Sequence, residues 1–513
     1  MRFRTIPYFY FKAISRKGKV VVCLVLLCLI NTSCIKQLNL YQGDKDDDNG
    51  NSKVKEKTVV CETDFFYPFD KEVTYAETTI TIHTRTPLPQ NIYTLRPEFP
   101  PLKYNKSWLF MLTQDDCKQV AFCCTWAAIN GRPLSSQYFY DLAHVQADDF
   151  PPDAYYLDKT LGCTDGAGNE VRFSFTTTLS PEWGYMNETT KVGKGYTENY
   201  HRFFMKSGLF WGNVKEMLNY GVGIAFHDLK VDDPNSEEDV LAHLGTADKI
   251  IADKLGRSCK MLARPDGNDT YIRAGERYSS VQTMNTESTG GTKLYPCQSM
   301  DLYKLPLERS FYNPPNDNSD PRSNQDRIKD AILEELSKPE EERAAINVGV
   351  HSTDWGWVEL LQWLNDEYGK DGQDNVWMPS QEEYYEYDYF RKNGVIMPRR
   401  IDDHTLELTV TLPGGTAFYY PSTTINLYNL EMDNIDSIET DDIISGFSYT
   451  DCKEKNCVMM NIDCRKYLAE HAENFVKRYE ANPSVKANKE DARYFVGMLK
   501  ESDKKDELLK RIK

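Results

Sequence analysis

Three things are scarce in this chain, and each scarcity removes a class of reading. None of its 13 cysteines forms a Cys-x-x-Cys pair. Structural zinc-thiolate sites are built from such pairs, so a zinc ribbon or finger is excluded. The apolar run near the start, Val20 to Ile30, is too short to span a bilayer and fits the h-region of an export leader. Basic residues are in deficit, with 61 Lys and Arg against 78 Asp and Glu. That balance argues against nucleic acid as a partner. It would repel polyanionic glycans and tolerate neutral or cationic ones.

Arg2, Arg4, Lys12, Arg16, Lys17 and Lys19 precede the apolar run, and Asn31-Thr32-Ser33-Cys34 follows it. Small residues directly before a cysteine resemble a bacterial lipobox, which implies diacylation of Cys34 and a membrane partner through that anchor. Asn31 stands where an aliphatic residue is usual, and plain cleavage to a soluble product is the alternative. Residues 1–33 are read as a lipoprotein signal peptide and 34–57 as a disordered acidic tether, since Gly43 to Ser52 has no apolar side chain. Tethers of this kind resemble those of Bacteroides-type lipoproteins. The implied location is the bacterial cell envelope, lipid-anchored to the outer membrane, periplasmic or surface-exposed. Without the leader, 61 less 6 leaves 55 bases against 78 acids, a net of −23. Export also permits disulfides, and Cys452 and Cys457 in DCKEKNC are close enough to staple a hairpin.

The rest of the chain divides by pattern. Residues 58–105 read as a small β region, with TYAETTITIHT alternating like a half-buried strand before a proline-rich linker. From 106 to 400, strands and helices alternate, which implies a parallel sheet or barrel. Expected strands are Trp108–Leu112, Gly221–Phe226, Cys259–Ala263, Ile346–Val350 and Val376–Met378. Expected helices are Lys118–Ile129, Asn213–Asn219, Glu237–Leu255, Gln325–Ser337, Trp355–Tyr368 and Gln381–Lys392. Ser236 and Ser380, each followed by acids, supply N-caps. Two stretches read as insertions, a hairpin near 160–181 and a polar, irregular loop near 268–324. Residues 401–513 turn to β again, where HTLELTVTL alternates strictly, and end in helices.

The chemistry gathers at the strand ends. Leu109 to Leu112 is a short apolar run followed by Asp115 and Asp116, at the carboxyl end of a strand and the amino end of a helix. Ligands bind at that edge in parallel α/β folds. An N-cap role for Asp116 is the plain alternative, but a cap accounts for one carboxylate and not two. GVGIAF ends in His227, CKMLA in Arg264-Pro265-Asp266-Gly267, and INVGV in His351. In a closed barrel all these ends face one mouth, and two acids with two histidines suit metal-assisted hydrolysis. A lone histidine after an apolar run is most often structural. The case here rests on four strands delivering polar groups to one edge. Trp355, Trp357, Trp377, Tyr384, Tyr385 and Tyr387 follow the late strands. Most are expected to pack helices onto the barrel, with Trp355 and Trp377 as candidate glycan platforms.

This order resembles the polysaccharide deacetylase superfamily (NodB homology, carbohydrate esterase family 4). Thr113-Gln114-Asp115-Asp116 is close to its Thr-Phe-Asp-Asp. His227 leads its His-(Ser/Thr)-x-x-His, with SEEDVLAHLGTADKIIADKLG after it in the family's form. Arg264-Pro265-Asp266-Gly267 echoes Arg-x-Pro-x-Gly, and Val350-His351 matches the late histidine. The resemblance covers about Lys106 to Pro398. It implies an α/β fold, a distorted (β/α) barrel, here with flanking β-rich, sandwich-like terminal regions. It also implies a divalent metal, zinc or another ion, and a glycan substrate from which acetyl groups are removed. Carried over by position, Asp115 is the base, Asp116 and His227 hold the metal, and His351 is the acid. Arg264, Asp266, Trp355 and Trp377 are expected to bind substrate.

The departures are specific. Val231 stands where the second metal histidine belongs, and valine cannot bind metal. Asp228, Asp232 and Asp233 lie nearby, with Asp232 or Asp233 the expected third ligand. Carboxylates with one imidazole make a harder site, which favours Mg²⁺, Mn²⁺ or Ca²⁺ over Zn²⁺. Arg264 adjoins Pro265, so Ala263 holds the place of the arginine that orients the base. Three readings follow: a metal-dependent deacetylase, a catalytically impaired glycan-binding lipoprotein on the same barrel, or another amidohydrolase sharing the acid pair. An acid turned inward beside Asp116 and His227 would favour the first; a pocket with two ligands would favour the second.

Overall fold

Trp108–Gln114 (β1) is buried at every position. Only a strand covered on both faces can bury seven consecutive residues, and β1 lies in a parallel barrel. In the computed structural model the described residues are 63–513, except 70–74, 137–149, 152, 188–190, 194–207, 233–234, 288–289, 314–319 and 416, with backbone also at 56–58 and 191–193. The leader, Cys34, the tether and Asp233 lie outside them.

The remaining barrel strands are Thr176–Leu179 (β2), Gly223–Phe226 (β3), Met261–Ala263 (β4), Thr283–Thr286 (β5), Pro306–Glu308 (β6), Ile346–Val350 (β7) and Val376–Trp377 (β8). β1 to β6 pair in sequence order, and β7 flanks the other side of β1, every pair parallel. Just past β6, the Ser310 N–H donates to Asn347 O at 2.9 Å and its carbonyl accepts from the Gly349 N–H at 3.0 Å. These bonds join β6 to β7 and close the ring. β8 pairs only with Trp108 and Leu109, and Met378 O accepts from the Ser174 N–H at 2.8 Å. It is a wedge between the starts of β1 and β2. The distorted (β/α) barrel expected from the sequence is therefore present, and all its carboxyl strand ends face one mouth.

Both supposed insertions contribute to the barrel. The segment 160–181 does carry a hairpin, Gly162–Thr164 against Glu170–Arg172, but it also carries β2. The segment 268–324 carries β5, β6 and the helix Asp269–Arg277. Hydropathy missed these strands because the barrel interior is filled with paired polar groups. The Gln381 N–H donates to Thr176 Oγ1 at 3.1 Å, Gln381 Nε2 to Thr283 Oγ1 at 2.9 Å, and Asn285 Nδ2 to Thr113 Oγ1 at 3.1 Å. A threonine-rich strand is as buried as an aliphatic one once its hydroxyls are satisfied.

Five helices flank the strands: Trp211–Asn219 (α1), Glu237–Leu255 (α2), Asn324–Leu336 (α3), Trp355–Glu367 (α4) and Gln381–Asn393 (α5). α2 runs from the Ser236 cap, whose side chain accepts from the Asp239 N–H, to Gly256 at φ 68°, a left-handed stop that glycine adopts without strain. α5 floors the barrel. Glu382 accepts from the Ile224 N–H at 3.1 Å and pairs with Arg257 at 2.5 Å, both side chains fully buried. Glu386 pairs with Lys260 and accepts from the Tyr419 and Tyr420 N–H groups at 2.8 and 2.5 Å.

Two antiparallel sheets mix strands from before and after the barrel. Ala76–Thr84 pairs with Thr405–Leu412 and Ile435–Thr440, and Val395–Arg400 lines the outer edge of Thr405–Leu412. Ser422–Tyr428 lies between Pro97–Glu98 and Cys457–Asp463, which in turn pairs with Gly446–Cys452. The closing helices dock through the buried Asp491, which accepts from Arg172 and the Tyr220 hydroxyl, each at 2.6 Å, and from Arg132. No described helix is long and apolar enough to cross a membrane.

Removing one member of a buried ion pair leaves the other charge uncompensated, at a cost of about 3–5 kcal/mol. Glu382→Ala strips Arg257 of its partner and the Ile224 N–H of its acceptor. Urea unfolding of this variant is expected to show a loss of that order. Unchanged stability would show that α5 does not brace the floor.

Candidate active site

Asp115 still belongs to the sheet. Its N–H donates to Val350 O at 2.8 Å, and it is 1% exposed. Its Oδ1 accepts from Arg309 Nη1 at 2.7 Å, and its Oδ2 lies 3.9 Å from His227 Nε2. Arg309 stands one residue past β6, is itself fully buried, and also donates Nη2 to the Arg264 carbonyl at 3.2 Å. The guanidinium fixes which way the Asp115 carboxylate faces.

The chain then turns through two consecutive left-handed residues, Asp116 at φ 61° and Cys117 at φ 48°. Non-glycine residues rarely adopt this conformation, and it persists only where neighbours enforce it. Here the Cys117 N–H donates to Thr178 Oγ1 at 3.3 Å, and its carbonyl accepts from the Leu209 N–H at 2.8 Å. The turn brings Asp116 Oδ1 to 3.6 Å from His227 Nε2. Helical structure begins at Ala121, as a π-turn without a side-chain cap. Asp116 is therefore not an N-cap, and the helix expected over Lys118–Ile129 starts late.

His227 follows β3 directly and pairs Nδ1 with Ala263 O at 2.9 Å. A carbonyl can only accept, so Nδ1 carries the hydrogen and Nε2 faces the acids. Asp228, next in the chain, accepts from Ser180 Oγ at 2.7 Å. One ligand atom each from Asp116, His227 and Asp228 lie within 4.8 Å of one another. Asp228 thus supplies the third carboxylate in place of Asp232, which is exposed and outside this group, and Asp233 lies outside the described residues. Val231, at the position of the missing histidine, packs against the core.

The electrostatics are those of a cation site. Burial opposes ionisation of Asp116, but the hydrogen bond to His227 and the charges of Lys118, His227 and His351 outweigh it and hold the carboxyl down at about 2. Burial alone would depress His227, yet Asp115, the hydrogen bond to Asp116 and the charge of Asp228 lift it to about 9. Asp228 is raised, chiefly by burial and further by Asp116 and Asp115, despite His227 and Ser180. Three acids around one imidazole demand a positive charge, whether a proton or a metal ion. The donor set fits a divalent ion because the imidazole tautomer is fixed and its free nitrogen faces the carboxylates.

His351 sits at the exposed rim, its ring centroid 5.1 Å from that of Phe311. The Arg309 guanidinium lies 5.0 Å from the centroid of the same Phe311 ring. A Cβ on Gly349 would stand 2.5 Å from Phe311 Cζ, so only glycine leaves this ring its seat. The loop after His351 is tied to β1: Thr125 Oγ1 donates to Gln114 Oε1 at 2.9 Å, and Gln114 Nε2 to Thr353 Oγ1 at 3.2 Å.

The expected substrate contacts divide. Arg264 is 4% exposed and braced by Glu287 at 2.7 Å and Asp269 at 2.5 Å, so it supports the mouth from within. Trp377 is 1% exposed, its ring centroid 5.1 Å from that of Tyr387 and 5.9 Å from that of Tyr384 in the floor. Both expectations are corrected: Trp377 lies in the floor, away from the mouth, and the Arg264 guanidinium is engaged by Glu287 and Asp269. Asp266 is exposed in the turn after β4. Trp355 is 37% exposed at the start of α4, with Tyr155 edge-on at 4.9 Å. Sequence reasoning missed Arg309, Ser180 and Phe311, because each follows a strand hidden in a segment read as an insertion.

Comparison with known proteins gives one family and two solved structures. A family model described as "Putative polysaccharide deacetylase" matches residues 78–513. Among solved structures, the chain is similar to the Xyl-CE4 domain of a multidomain xylanase from the hindgut metagenome of Trinervitermes trinervoides. That similarity has 11% identity and a TM-score of 0.26, over 54% of this chain and 90% of that one. It is also similar to Puue allantoinase, at 9% identity and a TM-score of 0.32, over 60% of this chain and 98% of that one. No curated protein sequence matches it significantly.

The raised His227 has a consequence for stability without metal. A group whose folded value exceeds its ordinary 6.5 contributes fully below that pH and loses the contribution as pH rises through about 9. Metal-free protein should lose stability to urea across that window, and His227→Gln should flatten the slope. An equal slope in both proteins would place the proton elsewhere.

Proposed function

This chain belongs to the polysaccharide deacetylase family, and from that premise we propose that it hydrolyses an acyl group, amide- or ester-linked, from a glycan. The observation that carries the reading is the third carboxylate: Asp228 turns inward beside Asp116 and His227. The chain therefore keeps three ligands where the family's histidine is lost, which favours the hydrolase over a glycan-binding protein with a disabled site.

Asp116, His227 and Asp228 would hold a divalent ion. Two carboxylates and one imidazole are harder than a two-histidine set and favour Mn²⁺ or Mg²⁺ over Zn²⁺. When bound, such an ion supplies polarisation of the acyl carbonyl and acidification of water. The chain's own groups do the rest. Asp115, held by Arg309, takes the proton of the attacking water through Oδ2, which no guanidinium occupies. His351, on the neighbouring strand end, gives a proton to the departing amine or alcohol. Exposed Trp355 offers an apolar face to a sugar ring at the rim. Cys34 anchors the protein in the cell envelope, a setting that suits action on extracytoplasmic glycan.

Acetate release should be measured on N-acetylated and O-acetylated oligosaccharides after chelation and reloading with Mn²⁺ or Zn²⁺. Asp228→Ala and Asp116→Ala should lose stoichiometric metal, and activity with it. If Asp228→Ala binds metal as tightly as the unaltered protein, the assigned site is wrong. Asp115→Asn should keep its metal and lose about 10²–10⁴ in kcat, the usual worth of a general base. His351→Ala should abolish acetate release with an unchanged unfolding curve; full activity would remove it from the mechanism.

A further inference from the structure

The hairpin of Gly446–Cys452 and Cys457–Asp463 carries a cysteine at the tip of each strand, and the two are direct partners across the ladder. Opposed residues of an antiparallel pair have Cα atoms about 4.5–5.5 Å apart, and their side chains leave the sheet on one face. A disulfide spans about 4.4–6.8 Å between Cα atoms, so this pair can close without moving backbone. The neighbouring Cys452 thiol and burial both hold the Cys457 thiol above its ordinary range. Cys452 is partly exposed, with Asn105 Nδ2 3.6 Å from its sulfur, while Cys457 is buried. Cys163, the other described cysteine within a strand, faces Val171.

We propose that Cys452 and Cys457 form a disulfide that closes the hairpin tip when the chain meets a disulfide oxidant such as oxidised glutathione. The more exposed Cys452, as thiolate, attacks the oxidant and displaces one thiolate, giving a mixed disulfide. Cys457 then loses its proton and attacks the Cys452 sulfur, displacing the second. Two electrons pass to the oxidant, and the two protons leave with its two thiols.

The position gives the bond a task. Gly446–Cys452 is an edge strand, and edge strands fray. The same hairpin grips the turn of the 162–172 hairpin that precedes β2, since Ser448 Oγ donates to Asp165 Oδ2 at 2.6 Å and Asn461 Nδ2 to the Asp165 carbonyl at 2.8 Å. Four residues separate the cysteines, so the gain in global stability is small and the effect is local. None of this depends on the hydrolase reading.

The test uses the full chain equilibrated with oxidised glutathione, alkylated with N-ethylmaleimide and digested with trypsin without reductant. Cleavage after Lys453 and Lys455 parts the two cysteines unless a bond joins them. The expected product is one linked pair of peptides, two hydrogen atoms lighter than their sum, absent after dithiothreitol and in Cys452→Ser. Recovery of both peptides separately, each carrying maleimide, would overturn the proposal. Cys464 shares the second peptide with Cys457, so Cys464→Ser must retain the link; its loss there would also overturn it.

Discussion

Three carboxylates crowd one imidazole at the mouth of the barrel, and much of the surrounding structure exists to keep them there. Asp115, Asp116 and Asp228 repel one another in a partly buried site, and such a cluster disperses unless each member is tethered. Each has its own tether: Arg309 for Asp115, a strained left-handed turn for Asp116, and Ser180 for Asp228. His227 is held from behind by the Ala263 carbonyl. A site built this way suits a cation, because the repulsion is met during folding and an ion would relieve it.

The same logic accounts for the barrel's polar interior. A ring that must present acids at one end cannot shift its strands against one another. Apolar packing tolerates small slides, whereas directional hydrogen bonds among Thr113, Thr176, Thr283, Asn285 and Gln381 do not. Beneath them, the buried pairs Arg257–Glu382 and Lys260–Glu386 couple the floor to the terminal β sheets through Tyr419 and Tyr420. The chain thus links its acidic rim, barrel floor and accessory sheets by polar contacts with little slack.

This also explains what was legible beforehand. β1, β3, β4 and β7 announce themselves as apolar runs ending in polar residues, and α2 is bounded by Ser236 and Gly256, the two local signals that helices obey most often. Asp115, Asp116, His227 and His351 could therefore be named from those ends. β2, β5 and β6 could not, because TTTL and TMNT are buried with their polar groups paired, hydropathy sees only transfer from water, and PLE is three residues with only Leu307 buried. Arg309 was lost with β6. Asp228 was visible but undecided among its acidic neighbours, since which of several adjacent carboxylates turns inward depends on Ser180, a contact 48 residues away in sequence.

The account stands or falls on where a cation goes. Anomalous scattering from a crystal soaked in Mn²⁺ tests this most directly. It should show a single strong peak bounded by the carboxylates of Asp116 and Asp228 and by Nε2 of His227. A soaked crystal with no peak there, or with Mn²⁺ held only by other groups, would contradict it.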